Sequence, residues 1–183
     1  MKTAILTGAS SGLGIQFARQ LKRVFPEVEE LWLIARRQDR LEALAAELTD
    51  LKTVVLPLDL CREESFTALR EKLAAEQPEV VLLLNNAGCG YLGNVGDGPL
   101  ARQTTMIDLN VAITHLVLPY MKAGAHILNT SSIASFCANA KLNTYSATKA
   151  YVSSLAKGLR AELSPRGIYE RNDVPVRELE GLS

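Results

Sequence analysis

The chain has 183 residues, with 20 Lys+Arg balanced by 20 Asp+Glu and 48% apolar residues. A chain of this size makes one ordinary domain that buries about 70% of its unfolded surface. The even charge balance argues against the broad basic field used to hold nucleic acid or anionic membranes, and it leaves small neutral ligands and nucleotides open.

Lys2 to Thr7 is a short apolar strand ending at Gly8, and Leu31 to Ala35 and Thr53 to Leu56 repeat the form. Val80 to Leu84 and Ala125 to Leu128 complete a set of five. Between them Phe17, Leu21 and Val24 share a helix face, as do Leu41, Leu44, Ala45 and Leu48, and then Phe66, Leu69 and Leu73. Longer helical stretches run from about Leu100 to Met121, with Pro119 limiting the last turn, and from about Asn143 to Leu163, stopped by Ser164-Pro165-Arg166-Gly167. Strand and helix alternating in this way predict an α/β fold: a doubly wound parallel sheet of about five strands between two helical layers. Residues 1–168 read as one domain. Residues 169–183, charged and without an apolar run, read as a loose tail.

No apolar run reaches the roughly 20 residues needed to span a bilayer, and Met1-Lys2 opens straight into the first strand without a signal-peptide pattern. A cytoplasmic protein with no membrane partner is expected. Cys61, Cys89 and Cys137 lie far apart with no His or Cys at ligand spacing, so they read as buried or idle reduced thiols and no metal site is expected. His115 and His126 read as ordinary surface or helix-end residues.

The first strand-to-helix junction is Thr7-Gly8-Ala9-Ser10-Ser11-Gly12-Leu13-Gly14. Glycine here lets a pyrophosphate approach the backbone, and the following helix N-terminus offers free N–H groups. The position at the first strand-to-helix switch favours nucleotide binding over a purely structural turn. After the second strand, Arg36-Arg37 stand where an NAD-binding sheet offers an acidic residue to the ribose 2′-hydroxyl; arginine suits a 2′-phosphate instead. NADP is therefore preferred, with NAD possible, and an exposed arginine pair opening a surface helix is the competing reading. Asp59, followed by Leu60, could accept from an adenine amino group or cap the helix starting near Cys61. Asn85-Asn86-Ala87-Gly88 and Asn129-Thr130-Ser131-Ser132 close the fourth and fifth strands, at the sheet end where such folds bind ligands. Tyr145 and Lys149 share a helix face at i and i+4. Lowering a tyrosine from its free value of about 10 toward 7 takes roughly 4 kcal/mol, part of which an ammonium one turn away can supply.

Together these residues resemble the short-chain dehydrogenase/reductase family in its classical branch. The matching features are Thr7-Gly8-x-x-x-Gly12-x-Gly14, Asn85-Asn86-Ala87-Gly88, Asn110, Ser132, and Tyr145-x-x-x-Lys149, thirteen residues after Ser132. The resemblance covers residues 1 to about 168 and implies hydride transfer between nicotinamide and a carbonyl or alcohol substrate. It makes Tyr145 the general acid or base, Lys149 the residue that lowers its pKa and holds the nicotinamide ribose, Ser132 the hydrogen-bond partner of the substrate oxygen, and Asn110 the anchor of a water in a proton relay. It also implies cofactor contacts from Gly8, Ser10, Ser11, Gly12, Leu13, Gly14, Arg36, Arg37, Asp59, Leu60, Asn86, Ala87, Gly88, Tyr145 and Lys149, and a homodimer or homotetramer through the two long helices. Ser131 rivals Ser132 for the hydroxyl role. Cys89, Tyr91, Leu92 and Phe136 suggest a partly apolar substrate wall.

The family continues into a sixth strand, a Pro-Gly turn and a substrate-covering segment. Here Gly167-Ile168-Tyr169 begins that strand, and the residues after it contain no Pro-Gly turn. The expectation is a chain lacking the family's last strands, truncated or frame-shifted, with the fifth strand as an exposed edge. An NADP-dependent oxidoreductase is the first functional reading; a non-catalytic NADP-binding remnant or interaction module is the alternative.

Overall fold

Alternate residues of the first two strands divide between two cores, as the period of a strand requires. Ala4, Leu6, Leu31 and Leu33 pack with Ala18 and Leu21 of one helix and Leu41 and Leu44 of another. Ile5, Trp32 and Ile34 pack on the opposite side with Leu69, Leu73, Ile113, Val117 and Leu163. A sheet lies between the two clusters. In the computed structural model, which describes residues 1–88, 109, 111–137 and 140–173, that sheet has six strands. They are β1 (Lys2–Thr7), β2 (Glu30–Ile34), β3 (Lys52–Leu56), β4 (Glu79–Asn85), β5 (Met121–Thr130) and β6 (Tyr169–Asp173). Their order is β3-β2-β1-β4-β5-β6, with every neighbouring pair parallel. The connecting helices are α1 (Gly12–Val24), α2 (Gln38–Glu47), α3 (Glu63–Glu76), α4 (111–117) and α5 (Asn143–Leu163). The doubly wound α/β architecture read from the sequence is the one observed.

β6 corrects two expectations. Residues 169–173 are a strand, in register with His126 to Thr130, so they are no loose tail and β5 is no sheet edge. The segment has no apolar run, and it is held by the β5 ladder and by polar partners: Glu170 is buried, accepting from Asn129 and pairing with Arg160, and Asn172 Nδ2 donates to Ser153 Oγ at 3.1 Å. Residues 174–183 lie outside those described.

β5 is also longer than its apolar run. It begins at Met121, directly after a 3-10 turn at Leu118–Tyr120 in which Pro119 has no N–H to continue α4. Its register against β4 shifts between the Val80–Met121 and Leu82–His126 pairs, and Gly124 takes a positive φ in the extra length.

His126 is half-buried and lies in a strand, not at a helix end. It sits in mid-strand, stacked on Tyr169 at 5.1 Å between centroids and edge-on to Phe25 at 5.4 Å. Burial, and then the Arg171 charge, hold its imidazole below the ordinary value of 6.5, with Glu27 opposing. Because the folded value lies below the unfolded one, this group's contribution to stability is complete above about 6.5 and is lost as pH falls through the folded value. Thermal melts at pH 7 and pH 5 should therefore show a smaller acid-induced fall in Tm for His126→Phe than for the parent.

Candidate functional site

In an all-parallel sheet the carboxyl ends of the strands share one edge, and the strand order reverses between β1 and β4. The glycine-rich turn leaves β1 at that point. Gly8 has φ +70°, and a Cβ on it would come within 2.8 Å of Asn86 Nδ2 and 3.0 Å of the Ala87 backbone. A Cβ on Gly14 would lie 2.1 Å from the Gly8 carbonyl oxygen, so only glycine lets α1 start this close to β1. Gly12, at φ +52°, has open space where its Cβ would be. Ser11, the N-cap of α1, makes no side-chain cap.

The turn after β4 is strapped to this loop. Thr7 Oγ1 accepts the N–H of Asn86 at 3.1 Å and of Ala87 at 2.9 Å, and donates to the Leu84 carbonyl at 3.3 Å. Asn86 Nδ2 in turn donates to the carbonyls of Thr7 and Gly8, both at 3.3 Å.

A groove of about 130 Å³ opens beside these loops, lined by Gly8, Ser10, Ser11, Ile34, Ala35, Arg36, Arg37, Leu58, Asp59, Leu60, Cys61, Ala87, Gly88 and Leu109. Arg37 Nη2 donates to the Ser10 carbonyl at 3.1 Å and to Ser10 Oγ at 3.2 Å, joining the end of β2 to the glycine-rich turn. Arg36 is exposed. Asp59 does not cap α3, which begins at Glu63 after Arg62; its Oδ1 accepts the Cys61 N–H at 3.1 Å and closes a local turn. Leu13 turns away from the groove into an apolar recess with Phe17, Leu84 and Leu128.

Ser132, Tyr145 and Lys149 lie outside the groove lining, and Lys149 connects them to it. Its side chain is buried, and Nζ donates to the Thr130 carbonyl at 2.9 Å. Nζ also lies 3.7 Å from where a Gly88 Cβ would be and 5.8 Å from the centroid of the half-buried Tyr145 ring. Ser131 is wholly buried, donating to the Lys149 carbonyl at 3.1 Å and sharing a 2.7 Å hydrogen bond with Ser153 Oγ. That assigns Ser131 to the packing of α5. Ser132 Oγ accepts the Ala134 N–H at 3.2 Å, a bond that leaves its proton to be donated elsewhere. Asn110, Cys89, Tyr91 and Leu92 lie outside the described residues. Cys61 and Cys137 are exposed thiols. Among the described residues, no three His, Cys, Asp or Glu side chains gather as metal ligands, and no helix is long and apolar enough to cross a membrane.

The sequence reading missed what holds these loops: the triple role of Thr7, the Arg37–Ser10 bridge and the Ser131–Ser153–Asn172 chain. Each joins residues that lie on different elements, and only the tertiary fold brings them together.

A doubly wound sheet with a glycine-rich turn at its switch point defines a dinucleotide-binding protein of the Rossmann type. The short chain dehydrogenase family model matches residues 2–172, and the chain belongs to that family, the short-chain dehydrogenases/reductases. It is 34% identical over 176 residues to an uncharacterized oxidoreductase of Staphylococcus saprophyticus, covering 91% of this chain and 74% of that protein. It is 33% identical over 186 residues to a very-long-chain 3-oxoacyl-CoA reductase of Anas platyrhynchos, covering 94% of this chain and 58% of the relative's length. Among solved structures, the short-chain dehydrogenase from Sphingobium yanoikuyae in complex with NADPH superposes with a TM-score of 0.82 at 34% identity, covering 96% of this chain and 70% of that one.

Gly14→Ala tests the packing at the turn. The contact it introduces is with backbone, which cannot rotate away, so the variant should lose about 2 kcal/mol or more of stability in chemical denaturation.

Proposed function

We propose that this protein is an NADP-dependent oxidoreductase that interconverts a carbonyl compound and the corresponding alcohol. The observation that carries the reading is the arrangement around Lys149, whose buried ammonium lies beside Gly88 of the cofactor-side turn and 5.8 Å from the Tyr145 ring. The groove fits a dinucleotide: the first turn of α1 has no side-chain cap, and the space beside Gly12 is one a Cβ would occupy. Arg36 and Arg37 at its far end suit a 2′-phosphate, which an NAD-type site would refuse. The NADPH complex of the Sphingobium relative supports the same preference.

When bound, the nicotinamide supplies the hydride. In reduction Ser132 donates a hydrogen bond to the substrate carbonyl oxygen, and Tyr145 passes its phenolic proton to that oxygen as the alcohol forms. Lys149 favours the phenolate left behind, and the Thr130 carbonyl keeps the ammonium in place. In oxidation Tyr145 takes the alcohol proton instead. Asn110 is the proposed anchor of a water that resupplies the proton. Ile133 and Phe136, exposed by 52% and 75% on the turn that Ser132 caps, offer apolar contact to the body of the substrate.

Purified protein should oxidise NADPH with at least one member of a panel of ketones and aldehydes, and Tyr145→Phe should cut that rate by at least about 10²-fold. Turnover that survives the substitution would refute the mechanism. For the cofactor, Arg36→Ala should weaken NADPH binding about tenfold in a fluorescence titration while changing NADH binding little, since only the former carries the 2′-phosphate. Equal losses for both cofactors would refute the preference.

A further inference from the structure

Polar side chains of three neighbouring strands, Glu170 at the start of β6 and Asn129 and Asn85 at the ends of β5 and β4, form a ladder with one direction. Asn129 Nδ2 donates to Glu170 Oε1 at 3.2 Å. Asn85 Nδ2 donates to Asn129 Oδ1 at 3.1 Å and to Thr114 Oγ1 of α4 at 2.9 Å. All four residues are buried. A side-chain amide can be turned either way, whereas the two oxygens of Glu170 both act as acceptors, one toward Asn129 and the other toward Arg160 Nη2 at 3.4 Å. Glu170 is thus the fixed end. Its oxygen takes the Asn129 N–H, the Asn129 carbonyl must then face Asn85, and Asn85 must answer with its own N–H. Asn85 Oδ1 finds no partner, which is what an orientation imposed from outside leaves behind.

The ladder meets the site at two points. Asn85 leads directly into the Asn86-Ala87-Gly88 turn, and its backbone carbonyl accepts from Thr130 Oγ1 at 3.1 Å, while the Thr130 carbonyl holds Lys149 Nζ. β6 reaches α5 by a second route, from Asn172 through Ser153 and Ser131 to the backbone of Lys149.

We propose that Glu170 is a positioning residue for cofactor binding: by accepting from Asn129 it sets the direction of the amide ladder, and so fixes the strand ends that carry the cofactor-side turn and the carbonyl beneath Lys149. The inference rests on the NADP-binding reading above. It separates the acceptor function of Glu170 from its charge, because glutamine keeps a carbonyl for Asn129 and methionine, of similar length, does not.

The test titrates NADPH by fluorescence into the parent, Glu170→Met and Glu170→Gln, and follows the side-chain amide resonances of Asn85 and Asn129 by ¹H–¹⁵N NMR in cofactor-free protein. Glu170→Met should bind about tenfold more weakly, with both amide signals displaced. Glu170→Gln should return affinity to within about threefold of the parent, with the signals near their original positions. Parent-like binding by Glu170→Met would overturn the proposal, as would a Glu170→Gln as weak as Glu170→Met, which would assign the effect to the Arg160 ion pair. If Glu170→Met loses its cooperative melt, Asn129→Leu breaks the same ladder from the middle and is expected to show the same tenfold loss; full affinity there would also overturn it. If the parent itself fails to bind NADPH, the cofactor reading fails, and the amide signals still decide the ladder: displacement in Glu170→Met alone supports it, and unmoved signals refute it.

Discussion

The hydroxyl of Thr7 stands where the strand order turns back on itself. β1 must serve β2 on one side and β4 on the other, and the chain leaves β1 and β4 through turns that need backbone partners at the same place. A threonine hydroxyl has one proton and two lone pairs, and here all three are used: one bond out to Leu84, two in from Asn86 and Ala87. Burial makes each of them count, because an unmet N–H in this setting costs about 1–3 kcal/mol. The contact between Gly14 and Gly8 then draws α1 against the same point, so the groove inherits its shape from one residue's hydrogen bonds and another's missing side chain.

From there the site divides along the edge of the sheet. On one side Arg37 clasps Ser10 and sets the wall that faces the far end of the groove. On the other, Lys149 is held with its charge out of water, 6% exposed, where the Thr130 carbonyl accepts from its ammonium. The two cores beneath, separated by the sheet, reach into the groove itself, since Ile34, Leu60 and Leu109 of one and Ala35 of the other line it.

Most of the architecture was legible in the sequence because β1 to β4 announce themselves as short continuous apolar runs and α1 to α3 by their helical period. The unbroken burial of β1 and β2 and the Leu41–Leu44 and Leu69–Leu73 spacings are local properties that a chain carries with it. The glycine-rich turn and the Tyr145–Lys149 pair were legible for the same reason: their geometry is fixed within a few residues. β6 was not, since Tyr-Glu-Arg-Asn-Asp offers no apolar run, and its place depends on Asn129, Ser153 and Arg160, residues distant in sequence. The early start of β5 escaped likewise, because Pro119 ends the helix but only pairing with Val80 makes Met121 a strand residue. The different surroundings of Ser131 and Ser132 were not legible either, as neighbouring hydroxyls differ only in which one packs against α5.

Trp32 is the chain's single tryptophan, wholly buried in β2, with its indole N–H donated to Glu30 at 2.8 Å and the Lys72 ammonium 4.9 Å from the ring centroid. Two residues along the same strand face, Ile34 lines the groove. The molecule thus holds one fluorophore in a fixed, water-free setting a short way from where a reduced nicotinamide dinucleotide would lie, and that dinucleotide absorbs in the region where indole emits. Energy transfer from Trp32 to a bound dinucleotide would make the native protein its own optical gauge of occupancy, with no label to disturb the turn at Thr7.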